Sequence, residues 1–214
     1  MSGVVVLHEP GDLAGGAQWV DAFERAGVPG PVRAPDLPGH GSAPAPTGGC
    51  YELLDGAMAA AVVGAGDAPA LVVGVGASGW SAEVLALGGR AAALVLVDGL
   101  GGPWLDARQR LDAGRRWLRD IADDPAAVAT PPPGAPDPRA GHGVVDHGSR
   151  RLAERAAAVM AVPVLLLETP GSGLARADVD DLATCFATGA EVAHLPDRSP
   201  ASVAAAVAAW AVRA

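Results

Sequence analysis

The chain is predicted to fold as a doubly wound α/β domain, a mainly parallel sheet with helices on both faces. Three observations carry this. Short Val-rich apolar runs recur along the sequence, at Val4 to His8, Val32 to Ala34, Ala70 to Gly74, Ala93 to Val97, Val162 to Glu168 and Glu191 to Leu195. They are continuous rather than alternating, as strands buried on both faces are. Ala-rich segments with helical character lie between them, near residues 15–27, 50–64, 78–88, 175–187 and 200–213, and this strand-helix alternation is the signature of a parallel sheet.

The elements follow in order. Val4 to His8 opens the sheet almost at once, with no basic leader before it, so no signal peptide is expected. Val32-Arg33-Ala34-Pro35 is short, charged and followed by proline, which suits an edge strand. The Ala70 run, which leads into the turn at Gly76, is expected to be the central strand. Pro200 and Ser199 mark the start of the last helix, since proline is tolerated in the first turn and serine caps it. The alternation breaks once. Between Val97 and Val162 comes a charged helix-like segment from Trp104 to Asp120, then Thr130-Pro131-Pro132-Pro133-Gly134 and Ala135-Pro136-Asp137-Pro138, then a second helix near Arg150 to Met160. The Pro-rich part cannot be regular structure. Residues 1–214 are expected to form one domain, with a small lid insertion over roughly residues 100–160.

Composition narrows the chemistry. Aromatics make up only 4% of the 214 residues, so Ala, Val and Leu must build the core. All 15 basic residues are Arg, which removes any Schiff-base amine or lysine base. A net charge of −9 with no basic stripe disfavours nucleic acid and anionic membranes as partners. No apolar run is long enough to span a bilayer, and Cys50 and Cys185 stand apart in no metal-binding spacing. A cytoplasmic protein with no metal and no cofactor is the expectation.

Several segments resemble the α/β-hydrolase superfamily. Val4-Val5-Val6-Leu7-His8-Glu9-Pro10-Gly11 resembles the strand and HG loop that open its core. Asp36-Leu37-Pro38-Gly39-His40-Gly41-Ser42 is very close to its D-x-P-G-H-G-x-S loop and is the most specific motif in the chain. Leu71-Val72-Val73-Gly74-Val75-Gly76-Ala77-Ser78-Gly79 sits where the family has its nucleophile elbow, and Val162 to Leu167 resembles the strand that leads to its catalytic acid. The resemblance implies the family's sheet without its first two strands, leaving about six parallel strands.

The same resemblance implies a Ser-His-Asp triad, and the residues depart from it. The elbow pattern G-x-S-x-G falls on Gly74-Val75-Gly76-Ala77-Ser78, which puts a glycine at the nucleophile. A shifted register makes Ser78 the nucleophile, two residues into the helix, and is the less favoured one. The acid position falls at or near Gly171; Glu168 is the nearest carboxylate, and Asp98 stands where some members place the acid one strand earlier, or simply caps the turn before Gly99. The loop Pro196-Asp197-Arg198-Ser199-Pro200 holds no histidine, and His194 comes too early. Glu9 replaces the HG glycine, and Pro10 has no N–H for an oxyanion hole.

Candidate site residues at the carboxyl ends of the strands are therefore Ser78 and Asp98, with His8, Glu9, Pro10, Asp36, His40, Gly76, Ala77 and Glu168 around a pocket. For His8 and His40 the resemblance implies first a bracing role, holding loops near the site by hydrogen bonds. The lid adds His142 and His147, flanking Asp146 in Gly141-His142-Gly143-Val144-Val145-Asp146-His147-Gly148. These are open to three readings: a solvated loop, a histidine pointing into the pocket, or a metal site of irregular spacing. The function expected is binding of a small apolar ligand, or its transformation by non-hydrolytic chemistry of lyase, isomerase or cyclase type. The alternatives are a hydrolase with a relocated triad on Ser78, and a partner-binding pseudoenzyme that uses its bare sheet edge, with a homodimer as one form of that pairing.

Overall fold

A computed structural model describes residues 3–9, 12, 15–37, 40–43, 68–98, 156–170 and 176–213. The expected helix near residues 50–64, the lid up to residue 155 with His142, Asp146 and His147, and Pro10 lie outside them. Six strands form one parallel sheet: β1 (Val4–Leu7), β2 (Val32–Arg33), β3 (Ala70–Val75), β4 (Ala91–Val97), β5 (Val164–Glu168) and β6 (Ala190–His194). Their order is β2-β1-β3-β4-β5-β6. Among the described residues, helices α1 (Ala17–Arg25), α2 (Gly79–Leu87), α3 (Arg176–Cys185) and α4 (Pro200–Ala211) accompany them. The doubly wound sheet expected from the apolar runs is present, and each strand lies within two residues of its expected bounds.

Side-chain alternation divides the core in two. Val5, Leu7, Val72, Leu94, Leu96 and Leu166 face Ala82 and Leu85 of α2 and Val179 and Leu182 of α3. Val4, Val6, Val73, Val95, Leu165 and Leu167 face Trp19 and Phe23 of α1 and Val203, Val207 and Trp210 of α4. Each fully buried Val or Leu contributes about 1.5–3 kcal/mol, so both layers are needed to hold the sheet. Ala156, Ala157 and Met160, at the end of the expected lid helix, are buried, Ala157 and Met160 in the first layer.

β3 and β4 are central, which suits their uncharged sequences. β2 ends the sheet among the described residues, with Arg33 exposed and proline at 31 and 35. α4 begins as its sequence predicts: the Ser199 hydroxyl accepts from Ser202 N at 3.2 Å, with Pro200 in the first turn. α1 has no side-chain cap of its own. Instead the Gly16 N–H at its start donates to Asp36 Oδ1 at 2.8 Å, so a distant carboxylate meets the positive end of the helix. No described helix is long and apolar enough to cross a membrane.

The order of the sheet reverses between β1 and β3: the chain runs outward from β1 to β2, then returns past β1 to lay down β3. Loops leaving the carboxyl ends of two such strands diverge, and ligand crevices in open α/β sheets form there. Glu9 follows β1 and Gly76 follows β3.

Candidate functional site

The turn after β3 is tight because two glycines permit it. A Cβ on Gly74 would sit 2.6 Å from the Gly79 Cα, so strand and helix touch backbone to backbone. Gly76 has φ +55, and a short 3-10 turn from Gly76 to Ser78 leads into α2. The apex of the turn is therefore Gly76, in the left-handed conformation that side chains resist.

Space above that apex is taken. A Cβ built on Gly76 would lie 2.4 Å from Oε1 of Glu9. The carboxylate of the β1 loop stands where a side chain of the elbow would begin. Its other oxygen, Oε2, is 2.5 Å from Nη2 of Arg198, in the loop between β6 and α4. The Nη1 of Arg198 approaches Asp98 Oδ2 at 3.7 Å, an ion pair beyond hydrogen-bonding reach. Asp98 itself is docked: Thr169 N donates to Oδ1 at 2.8 Å and Thr169 Oγ1 to Oδ2 at 2.9 Å. It holds φ +61, the one non-glycine residue with positive φ among those described.

The result is a row, Glu9–Arg198–Asp98, across the carboxyl ends of β1, β4 and β6. Burial pushes the Glu9 carboxyl above the ordinary glutamate range, with Arg198 opposing and the charges of Asp98 and Asp12 adding to the rise. Burial also raises Asp98, against the pull of the two Thr169 hydrogen bonds and Arg198. Two acids thus hold protons more tightly than usual around a guanidinium that keeps its own.

Beneath this row lies a brace, buried at Ser78, His8 and His40. Ser78 is fully buried and its hydroxyl donates to the His8 carbonyl at 2.7 Å. His8 Nε2 accepts from Leu37 N at 3.1 Å, which leaves Nδ1 to donate to the Glu9 carbonyl at 3.0 Å. Burial lowers the His8 pKa, so the neutral tautomer is the one that serves. His40 packs edge-on to His8 with ring centroids 5.3 Å apart. Asp36 accepts from Gly16 N, Ser42 N and Ser42 Oγ at 2.8–2.9 Å. Burial works to raise its pKa, but these hydrogen bonds outweigh it and hold it low. Gly15 and Gly41, both at positive φ, close around that carboxylate.

The sequence-predicted residues thus separate. Glu9, Gly76 and Asp98 come together in the row with Arg198. Ser78, His8, His40 and Asp36 form the brace below, with the serine hydroxyl turned away from solvent. Glu168 engages His194, its register partner on β6, at 2.5 Å. Arg198 and Thr169 escaped the sequence reading. Arg198 carried a usable signal: it is the basic residue in the loop where the resemblance leads one to look for a histidine. Thr169 carried none, because its role depends on Asp98 turning back at φ +61. No cluster of three or more His, Cys, Asp or Glu suited to a metal occurs among the described residues.

No protein family's sequence profile matches the chain, and no curated protein matches it in sequence. Solved structures do match in shape. A thermophilic esterase from Thermogutta terrifontis superposes with a TM-score of 0.74 at 16% identity, over 100% of this chain and 90% of that one. The thioesterase domain from the curacin biosynthetic pathway gives 0.68 at 19% identity, over 99% and 91%. NosK from Streptomyces actuosus gives 0.63 at 20% identity, over 94% and 90%. The chain therefore has the α/β-hydrolase fold, as the sequence motifs led us to expect.

Proposed function

We propose that this protein uses the α/β-hydrolase fold without an acyl-enzyme, binding a small, largely apolar molecule at the β1/β3 crevice or transforming it by non-hydrolytic chemistry. One observation carries this: the apex of the elbow is Gly76, and Glu9 Oε1 fills the start of the space a nucleophile would need. A serine hydrolase needs an alcohol at that apex and a base beside it. Here the loop after β6 offers Arg198, which cannot accept a proton. Ser78 is committed to the His8 carbonyl. The site needs no metal or cofactor for this role, and a cytoplasmic location suits a chain of this composition.

A second reading is a hydrolase with a relocated triad, Ser78 with Asp98 or Glu168 and a lid histidine. It is favoured by the company the fold keeps, which includes an esterase, a thioesterase domain and an enol-lactonase from Burkholderia xenovorans. A partner-binding pseudoenzyme, paired through the β2 edge, is the third. One experiment separates the first two. Wild-type protein and Ser78→Ala are treated with a fluorophosphonate and assayed on simple aryl esters. No serine adduct and no serine-dependent turnover are expected. Labelling of Ser78, or turnover lost in Ser78→Ala, establishes the hydrolase instead.

A further inference from the structure

We propose that Glu9 is the general base and acid of this site, acting through Oε1 from the position an elbow nucleophile would otherwise hold, on a carbonyl compound that carries an acidic C–H. This rests on the non-hydrolytic reading above and gives it a reaction class and a residue.

The two oxygens of Glu9 differ. Oε2 is held by Arg198 at 2.5 Å. Oε1 is aimed over Gly76 and takes part in no hydrogen bond among the described residues. One oxygen fixes the side chain and the other lies over Gly76, at the end of the sheet where its order reverses. A glycine beneath it is what makes room, since any Cβ there would collide with Oε1. The loss of the elbow side chain and the gain of a glutamate in the preceding loop are thus one structural exchange. The carboxyl is half-buried and its proton affinity is raised, which brings it toward the range where a carboxylate both takes and returns protons.

Arg198 supplies the complementary charge. Its Nη1 is too far from Asp98 for a hydrogen bond, which leaves that N–H uncommitted to this carboxylate and able to meet a ligand oxygen. Asp98 is anchored by Thr169 and keeps the guanidinium in place without neutralising it by close contact. In the step we infer, Glu9 Oε1 takes a proton from the carbon next to the carbonyl. The C–H electron pair becomes a C=C bond, and the carbonyl π pair moves onto oxygen, where the negative charge faces Arg198. The protonated Glu9 then returns the proton to another atom of the same molecule, and the carbonyl or its isomer is released. Nothing is oxidised or reduced, and no second reactant is consumed.

Nitrobenzisoxazole tests the base directly, because its ring opens to a coloured nitrophenolate when one carbon-bound proton is removed. Full-length wild-type protein is expected to accelerate the opening, with a rate that rises with pH through a single ionisation. The charged groups facing that ionisation are Arg198, Asp98 and Asp12. Glu9→Gln is expected to lose about 10²-fold or more, and Glu9→Asp to keep part of the rate. Arg198→Gln is expected to shift the pH midpoint upward, since its charge favours the ionised carboxyl. Glu191→Gln, at the opposite end of the sheet, serves as control and should be unchanged. No acceleration by wild-type protein, or equal rates in Glu9→Gln, overturns the proposal. So does an unshifted midpoint in Arg198→Gln together with an unchanged rate in Glu9→Asp. A fluorophosphonate adduct on Ser78 overturns the underlying reading whatever nitrobenzisoxazole shows, so the two failures are told apart.

Discussion

Two regions a few residues apart treat polar groups in opposite ways. Below the elbow, His8 joins the Ser78 hydroxyl and the Leu37 N–H by hydrogen bonds of ordinary length, Asp36 holds Gly16 and Ser42, and Ser78 and His8 are wholly buried and uncharged. Above it, Glu9 and Arg198 are partly open to solvent, Asp98 is buried beside them, and both acids are raised in proton affinity. Polar groups placed for stability are satisfied and quiet, because an unmet buried donor costs about 1–3 kcal/mol. Groups placed for chemistry keep an oxygen or an N–H in hand; displaced pKa values occur in both regions, in His8 and Asp36 below and in Glu9 and Asp98 above. The motifs shared with hydrolases lie mainly in the first region, and the departures concentrate in the second.

The contrast is broken most sharply at His8. His8→Ala removes a fully buried ring and orphans the Leu37 N–H, and should cost about 3–5 kcal/mol in denaturant unfolding. A loss under about 1 kcal/mol would mean that the brace is dispensable. Gly76→Ser should follow at about 2–4 kcal/mol, from the left-handed backbone and the overlap with Glu9. Adding Glu9→Ala should recover the steric share but not the backbone share, and neither variant should turn over aryl esters. Equal stability of the single and double variants would show that Glu9 leaves the apex without cost.

Asp36→Asn should cost about 1–2 kcal/mol at neutral pH, since it weakens charge-assisted hydrogen bonds to Gly16 and Ser42. The folded pKa of Asp36 is depressed, so its contribution is present above the ordinary aspartate range and is lost as pH falls through the folded value. The gap between wild type and variant should therefore close on acidification below about pH 4. A gap that stays constant with pH would assign the cost to shape alone.

The smallest effect belongs to a residue outside both regions. Glu83 of α2 is fully buried, and neither of its carboxyl oxygens has a hydrogen-bond partner among the described residues. Burial raises its pKa well above the ordinary value. The folded state then binds the proton more tightly than the unfolded one, so stability falls as pH rises from about 4 toward the folded pKa. Glu83→Met should stabilise by about 1 kcal/mol at pH 5, and the gain should widen at pH 8. A gain that narrows as pH rises would show that Glu83 is ionised and paired.

The sheet was legible because strand burial leaves its mark in the sequence. The uncharged runs at Ala70 and Ala93 became the central strands, and the Arg- and Pro-marked run at Val32 became the edge. The elbow was legible because Gly74, Gly76 and Gly79 are required by backbone contact and positive φ. Glu9 and Asp98 could be flagged from position, since both directly follow a strand. Their arrangement could not. Arg198 lies nearly the whole chain away from Glu9, and no local pattern announces a pair made across a sheet. Thr169 carries no local signal, because its part is set by Asp98 turning back upon it.

The Glu9–Arg198 pair also has a bearing on how the protein assembles. It joins the loop after the first strand to the loop after the last, and α1 packs on α4 behind it. Contacts between distant parts of a chain form slowly, because the intervening loop must close before they give anything back. β1, β3 and β4 can pair before the C-terminal segment arrives, but the charged row cannot exist until β6 and α4 have docked. A nascent chain still lacking its last helix would carry the brace complete and the row open.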